Sequence, residues 1–179
     1  MRVWTAQAAA SATGAVVPEM EKLAAWLPRA LPSGDDAACI VHGDFRLDNL
    51  ILAGVGGGGE GAGGGGGGGL RVAAVLDWEL STLGHPMVDL AYACMPYHLP
   101  HLPNSPITGF SADPAALGLP SEDEFLSTYV SALAGAGGNG VQCIGANGLP
   151  ERWPFFMALS FFRAAAILQG AHRALAIRE

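Results

Sequence analysis

The chain reads as an α+β domain, mainly helical with one small β-hairpin, on three observations. Four stretches repeat apolar residues at helical spacing: Pro18 to Leu31, Pro86 to Tyr97, Ser121 to Leu133 and Pro150 to Ile177. Only three short runs have strand character: Ala38 to Val41, Leu47 to Leu52 and Leu70 to Leu76. Half of the 179 residues are hydrophobic and 14% are charged, which supplies a core and excludes disorder throughout.

Residues 1–16 are rich in Ala and lack a continuous apolar run, so they read as a flexible arm and not as a secretory signal. Pro18 opens the first helix, where its missing N–H does no harm, and Glu19 and Glu21 suit the positive helix end. Met20, Leu23, Ala24 and Leu27 share one face, and Pro28 and Pro32 bring the helix to its end by Leu31. Asp35 and Asp36 mark a turn before the strand Ala38 to Val41.

The next two strands, Leu47 to Leu52 and Leu70 to Leu76, form a hairpin. Thirteen of the 26 glycines fall in its tip, 54–69. Glycine loses the most backbone entropy on ordering, and this tract has almost no side chains to offset it, so a disordered insertion is expected. The tract matches GxGxxG only trivially, and Leu70 and Arg71 follow where a phosphate loop has Lys and Ser or Thr.

Pro86 opens a helix to Tyr97. A stretch with Pro96, Pro100, Pro103, Pro106, Pro114 and Pro120 follows, too proline-rich for a regular element but apolar enough to pack, and it is the candidate substrate-facing segment. Ser121 and Glu124 form a capping box for a helix to about Leu133. After the glycine-rich linker AGAGGNG, a closing helix runs from Pro150 to Ile177, kinked near Trp153 and Pro154. Its apolar part, Phe155 to Leu168, is interrupted by Ser160 and Arg163 and falls short of the roughly 20 residues of a membrane span. Trp153, Phe155, Phe156, Phe161 and Phe162 belong to the core, and Arg163 among them calls for a buried carboxylate partner.

The net charge of −7 argues against nonspecific nucleic-acid binding, which needs clustered cations. Cys39, Cys94 and Cys143 lack paired spacing and fit a reducing intracellular compartment, the cytoplasm first, with mitochondrion or peroxisome as alternatives. His98 and His101 are broken from helical spacing by prolines and have no carboxylate nearby in sequence, so they read as loop histidines and not metal ligands.

Chemistry concentrates in HGDFRLDN, His42 to Asn49, and LDWE, Leu76 to Glu79. Phosphoryl transfer needs a carboxylate to orient and deprotonate a hydroxyl, oxygen ligands for Mg²⁺, and a cation near the transferred group. Asp44 supplies the first, Asn49 a metal ligand, and Arg46 the cation, in the Asp-to-Asn spacing that protein kinases use. Asp77 follows the second hairpin strand and brings a carboxylate to the metal. Asp and Asn also settle in turns for their own sake; the ordered set Asp44, Arg46, Asn49, Asp77, Asp89 is what outweighs that.

HGDxxxxN, LDWE and STLGHPMVDLAY in this order, with MEKLAAWLP before and SFFRAAAILQG after, resemble the aminoglycoside phosphotransferase and choline kinase superfamily, in particular the kinase-like module fused to some acyl-CoA dehydrogenases. The resemblance covers about Val17 to the final helix. It implies the C-terminal lobe of a protein-kinase-like fold over 17–179, with Asp44 as catalytic base, Asn49 and Asp77 as Mg²⁺ ligands, and Asp89 and His42 bracing the catalytic loop. It implies ATP and Mg²⁺ as cofactors and a small-molecule hydroxyl as acceptor, such as a hydroxyacyl compound or its CoA thioester. Only 41 residues precede His42, and Lys22 sits in a helical pattern, so the N-terminal β-lobe with its glycine loop and lysine is expected to be absent. No residues are assigned to hold the nucleotide. A missing lobe or an acyl-CoA dehydrogenase domain is then the expected partner, and the alternative is a non-catalytic module that docks a partner through the exposed inter-lobe face.

Overall fold

A computed structural model describes residues 17–31, 39–54, 69–105, 107–135 and 152–176, with side chains up to residue 170. Three expected features lie outside these residues: the arm 1–16, the glycine tract between 55 and 68, and most of the AGAGGNG linker.

The architecture is α+β, as the residue pattern predicts. Helix α1, Pro18–Trp26, carries Pro18 in its first turn and buries Met20, with Leu23 and Ala24 partly covered. It ends at Trp26 and not at Leu31, because Pro28 has no N–H to extend the ladder; the N–H groups of Arg29 and Ala30 turn back to the Trp26 carbonyl instead. Leu27, fully buried, anchors this end in the core.

Among the described residues, four strands form two separate antiparallel pairs. Strand β1, Cys39–Val41, pairs with β4, Thr82–Gly84, with Ile40 opposite Leu83. Strand β2, Leu50–Gly54, pairs with β3, Leu70–Val75, from Leu50 opposite Val75 to Gly54 opposite Leu70. The expected hairpin is therefore present, but Leu47–Asn49 is a single 3-10 turn leading into β2 and not its first residues. Gly54, expected in the loose tip, is the last paired residue of its strand.

Helix α2, Met87–Cys94, buries Met87, Leu90, Ala91, Tyr92 and Cys94, and a 3-10 turn, Met95–Tyr97, continues it where Pro96 breaks the ladder. Helix α3, Glu122–Gly135, begins with the predicted capping box: the Ser121 N–H donates to Glu124 Oε2 at 2.8 Å, and the Glu124 N–H to Ser121 Oγ at 3.3 Å. Helix α4 spans Trp153–Ala176, so Pro154 falls in its first turn and not at an internal kink. The core lies where α1 and α2 pack on α4, around Leu27, Met87, Phe156 and Phe162. Among the described residues no helix is long and apolar enough to cross a membrane.

The proline-rich segment between α2 and α3 is irregular apart from a 3-10 turn at Pro114–Leu117. The Gly109 N–H donates to the Pro100 carbonyl, and the Leu102 N–H to Thr108 Oγ1 at 2.6 Å, folding the segment on itself. A Cβ at Gly109 would lie 1.8 Å from the Leu99 carbonyl oxygen, so the close approach needs glycine there. His98 on this segment meets Glu122 at 2.9 Å, a carboxylate brought near by folding that sequence distance hid.

Burial and, secondarily, the charge of Glu122 push the Cys94 thiol up to about 12. In the unfolded chain a thiol ionises near pH 8.5. Below that value both states keep the proton and the stabilisation is fully present; above it the unfolded chain loses its proton first. Stability should therefore fall as pH rises from roughly 9 towards 12, by at most about 1.4 kcal/mol per pH unit for this group. Urea unfolding at pH 8 and 10.5 checks this, and Cys94→Ala should flatten the alkaline slope.

Candidate active site

The backbone after β1 turns sharply into the loop His42 to Asn49. Asp89, in the first turn of α2, accepts from the His42 N–H through Oδ2 at 2.6 Å and from the Gly43 N–H through Oδ1 at 2.9 Å. A carboxylate at a helix start is also favoured by the helix dipole. Gly43 adopts φ +84°, and a Cβ there would stand 2.5 Å from the Leu80 carbonyl oxygen, so both conformation and space demand glycine.

His42 is buried, and its ring ties two segments together. Nδ1 lies 3.1 Å from the Asp44 N–H, which makes it an acceptor, so Nε2 carries the proton and donates to the Leu76 carbonyl at 2.7 Å. Trp78 covers the ring at 4.7 Å between centroids, and the Trp78 indole N–H is fixed on the Val75 carbonyl.

Asp44 is half-buried. The Asn49 Nδ2 donates to the Asp44 carbonyl at 2.8 Å and to its Oδ2 at 3.1 Å. Both partners are pure acceptors, so the amide orientation is fixed by chemistry and Oδ1 faces the opposite side of the planar group. The Leu76 N–H donates to the Asn49 carbonyl at 2.8 Å. With Leu50 opposite Val75, this puts Asn49 and Asp77 at the same end of the β2–β3 hairpin. Asp77 is exposed and adopts the left-handed conformation, φ 64°, uncommon outside glycine. Hard oxygen groups of this kind, a carboxylate and an amide, suit Mg²⁺. Arg46 lies 3.8 Å from Asp44 and 3.5 Å from Asp48 through Nε.

Two residues beyond the HGDFRLDN and LDWE stretches complete the surroundings. Burial raises the Tyr92 phenol above its usual range, with the Asp44 charge and a hydrogen bond to Asp44 adding to it. The guanidinium carbon of Arg163 on α4 lies over the Tyr92 ring, 4.6 Å from its centroid. Burial lowers the Arg163 pKa, while the charges of Tyr92, Asp44 and Asp89 act the other way. A cavity of ≈ 170 Å³ opens beside Asp44, walled by Arg46, Leu80, Tyr92, Ile107, Arg163 and Ile167. Another of ≈ 160 Å³ shares Arg46, Tyr92 and Ile107 and continues along Met95, Pro96 and Leu99. The proline-rich segment and the last helix thus supply walls of the pocket. Tyr92 and Arg163 lie within STLGHPMVDLAY and SFFRAAAILQG, but that they and Leu80 line the cavity was not readable beforehand, because packing brings them beside Asp44.

A family model described as "Phosphotransferase enzyme family" matches residues 2–110. Mouse acyl-CoA dehydrogenase family member 10 is 42% identical over 177 residues, covering 97% of this chain and 14% of that protein. Human acyl-CoA dehydrogenase family member 11 is 36% identical over 169 residues, 94% of this chain and 18% of that protein. The chain therefore spans less than a fifth of these relatives. A solved structure of a candidate aminoglycoside phosphotransferase from Ralstonia eutropha JMP134 superposes with a TM-score of 0.67 at 37% identity, over 98% of this chain and 45% of that one.

Asp89→Asn replaces one of two acceptors by an NH₂ that faces a backbone N–H, and Gly43→Ala forces a Cβ against the Leu80 carbonyl. Each should destabilise the fold by about 1–3 kcal/mol. Urea unfolding beside Asp48→Asn, an exposed control that should change little, measures both.

Proposed function

Because the chain belongs to the phosphotransferase enzyme family, we propose that it takes part in transferring the γ-phosphoryl group of ATP to a small-molecule hydroxyl. The observation that carries this is the meeting of Asp44, Asn49 and Asp77 at one end of the hairpin, with Asp44 facing a cavity. Asp44 orients the acceptor hydroxyl and takes its proton. Asn49 holds Asp44 by its amide N–H and would offer Oδ1 to Mg²⁺, which Asp77, just past the end of β3, would also hold. Bound there, Mg²⁺ would neutralise charge on the phosphates. Arg46, which lies near Asp44 and the exposed Asp48, turns towards the transferred phosphoryl group. Asp89 and His42 keep the loop in shape and touch neither reactant.

The acceptor we propose is a hydroxyacyl compound or its CoA thioester, in line with the acyl-CoA dehydrogenase names of the relatives. ATP needs further contacts for its adenine and remaining phosphates, which the kinase-like pattern places on a second lobe with a lysine. Lys22 is exposed on α1 and does not meet that need. We assign those contacts to polypeptide beyond these residues, a second lobe or a dehydrogenase domain.

One observation favours a second reading, a non-catalytic module that docks a partner. Ile40 and Leu83, opposite each other on β1 and β4, are 70% and 73% exposed, and Leu47 and Leu70 are each 70% exposed. Apolar groups so placed suit a covering protein surface.

Calorimetric titration of Mg²⁺-ATP, with and without an added N-terminal lobe, separates the two. Nucleotide binding should weaken markedly in Asp77→Ala. In the complemented protein, Asp44→Ala should retain nucleotide binding while phosphoryl transfer drops about 10²–10⁴-fold. Equal Mg²⁺-ATP responses of the parent chain and Asp77→Ala would leave the docking module as the better account.

A further inference from the structure

The cavity beside Asp44 continues into the second one, of ≈ 160 Å³, and Tyr92 and Ile107 line both. The second runs along Leu47, Met95, Pro96 and Leu99, with Arg46, Asp48 and Thr108 as further polar members. Those three are engaged within the chain. Arg46 Nε lies 3.5 Å from Asp48, and Thr108 Oγ1 accepts from the Leu102 N–H at 2.6 Å and donates to the Gly109 carbonyl at 3.2 Å. Asp48, with most of its side chain in solvent, marks the open end. What the interior offers a ligand is therefore apolar surface.

The wall on the proline-rich segment is shaped before any ligand arrives. Ser105 Oγ donates to the Ile107 carbonyl at 2.7 Å and accepts from the Ile107 N–H at 3.3 Å, while the Gly109 N–H donates to the Pro100 carbonyl at 3.0 Å. Leu99 and Ile107 are thus held by the segment's own bonds, and Met95 on the facing side is 3% exposed and part of the core. A wall that needs no ordering on binding keeps the cost to a ligand small.

We propose that this second cavity is the subsite for an unbranched apolar tail of the acceptor, and that Leu99 and Ile107 set the tail length it takes. The place of the acceptor hydroxyl at Asp44 rests on the phosphotransferase reading; the tail leaves it past Tyr92 and Ile107. The volume is about five times the ~30 Å³ share of one water, and a methylene is of similar size, so a tail of about five carbons beyond the carbinol carbon fills it. A longer tail runs on past Asp48 into solvent and gains little.

Binding is measured on the chain without nucleotide, by ligand-observed NMR and calorimetry. The probes are the uncharged N-acetylcysteamine thioesters of 3-hydroxybutyrate, 3-hydroxyhexanoate, 3-hydroxyoctanoate and 3-hydroxydecanoate. Affinity should rise by about fourfold per methylene as far as the octanoyl compound and then level off. Leu99→Trp, which fills the cavity, should bring the plateau forward to a shorter tail, and Ile107→Ala, which widens it, should carry the rise on to the decanoyl compound. Affinity independent of length, a rise that continues unbroken to the decanoyl compound in the parent chain, a plateau that Leu99→Trp leaves in place, or no binding of any probe at millimolar concentration would each overturn the proposal. If circular dichroism shows Leu99→Trp unfolded, the plateau in the parent chain and its shift in Ile107→Ala decide. Length-dependent binding that shifts with these variants, without phosphoryl transfer in the complemented protein, would sink the phosphotransferase reading and leave the tail site standing. Transfer with a KM indifferent to tail length would do the reverse.

Discussion

One carboxylate receiving two backbone N–H groups sets the geometry of everything near the site. Asp89 cannot move without α2, and α2 is buried on several sides through Met87, Leu90, Ala91 and Cys94. The position of His42 and Gly43 is thus fixed by the helical core and not by the short strand that precedes them. From there the constraint passes outward: the His42 ring holds the Leu76 carbonyl and the Asp44 N–H, and Asn49 holds Asp44. A side-chain acceptor serving two donors at once fixes direction as well as distance, which a single bond would not.

The strands need that support. Each pair has two strands, and an isolated two-stranded ribbon is marginal in water. Strand β1 has three residues, and its pairing with β4 spans only Cys39 to Val41. What makes these ribbons stable is their attachment to helices, through Asp89 for the first and through His42 for the end of the second. Their outward residues, Ile40 and Leu83 among them, stay in solvent within the described residues.

The sequence made much of this legible, for local reasons. The capping box and the apolar periodicities announce α2, α3 and α4 because each signal lies within one or two turns. Asp44, Asn49 and Asp77 stand out because their spacing is kept within a loop and a strand end. Features that folding creates over long distances were hidden. Strand β4, Thr82–Gly84, is three residues ending in glycine, and its pairing with β1 is invisible until both are placed. Leu47–Asn49 has strand composition, yet curls into a turn that aims Asn49 at Asp44. Arg163 lies more than a hundred residues after Asp44, and only packing of α4 on α2 brings it to Tyr92. The same holds for Glu122, which reaches His98 across a loop that sequence inspection left without a carboxylate.

Two arginines flank Asp44, and burial separates what each can do. Arg46 has 36% of its side chain exposed and shares its Nε between Asp44 and the exposed Asp48. Its Nε is buried while part of the side chain reaches solvent, which leaves Arg46 more freedom to move than a fully packed cation has. Arg163 has no such freedom: removing a buried cation from the surroundings that compensate it costs several kcal/mol, of the order of 3–5 for broken buried pairs. The fold separates the two by placing Arg46 on the loop that Asp89 braces and Arg163 on the helix that forms the core.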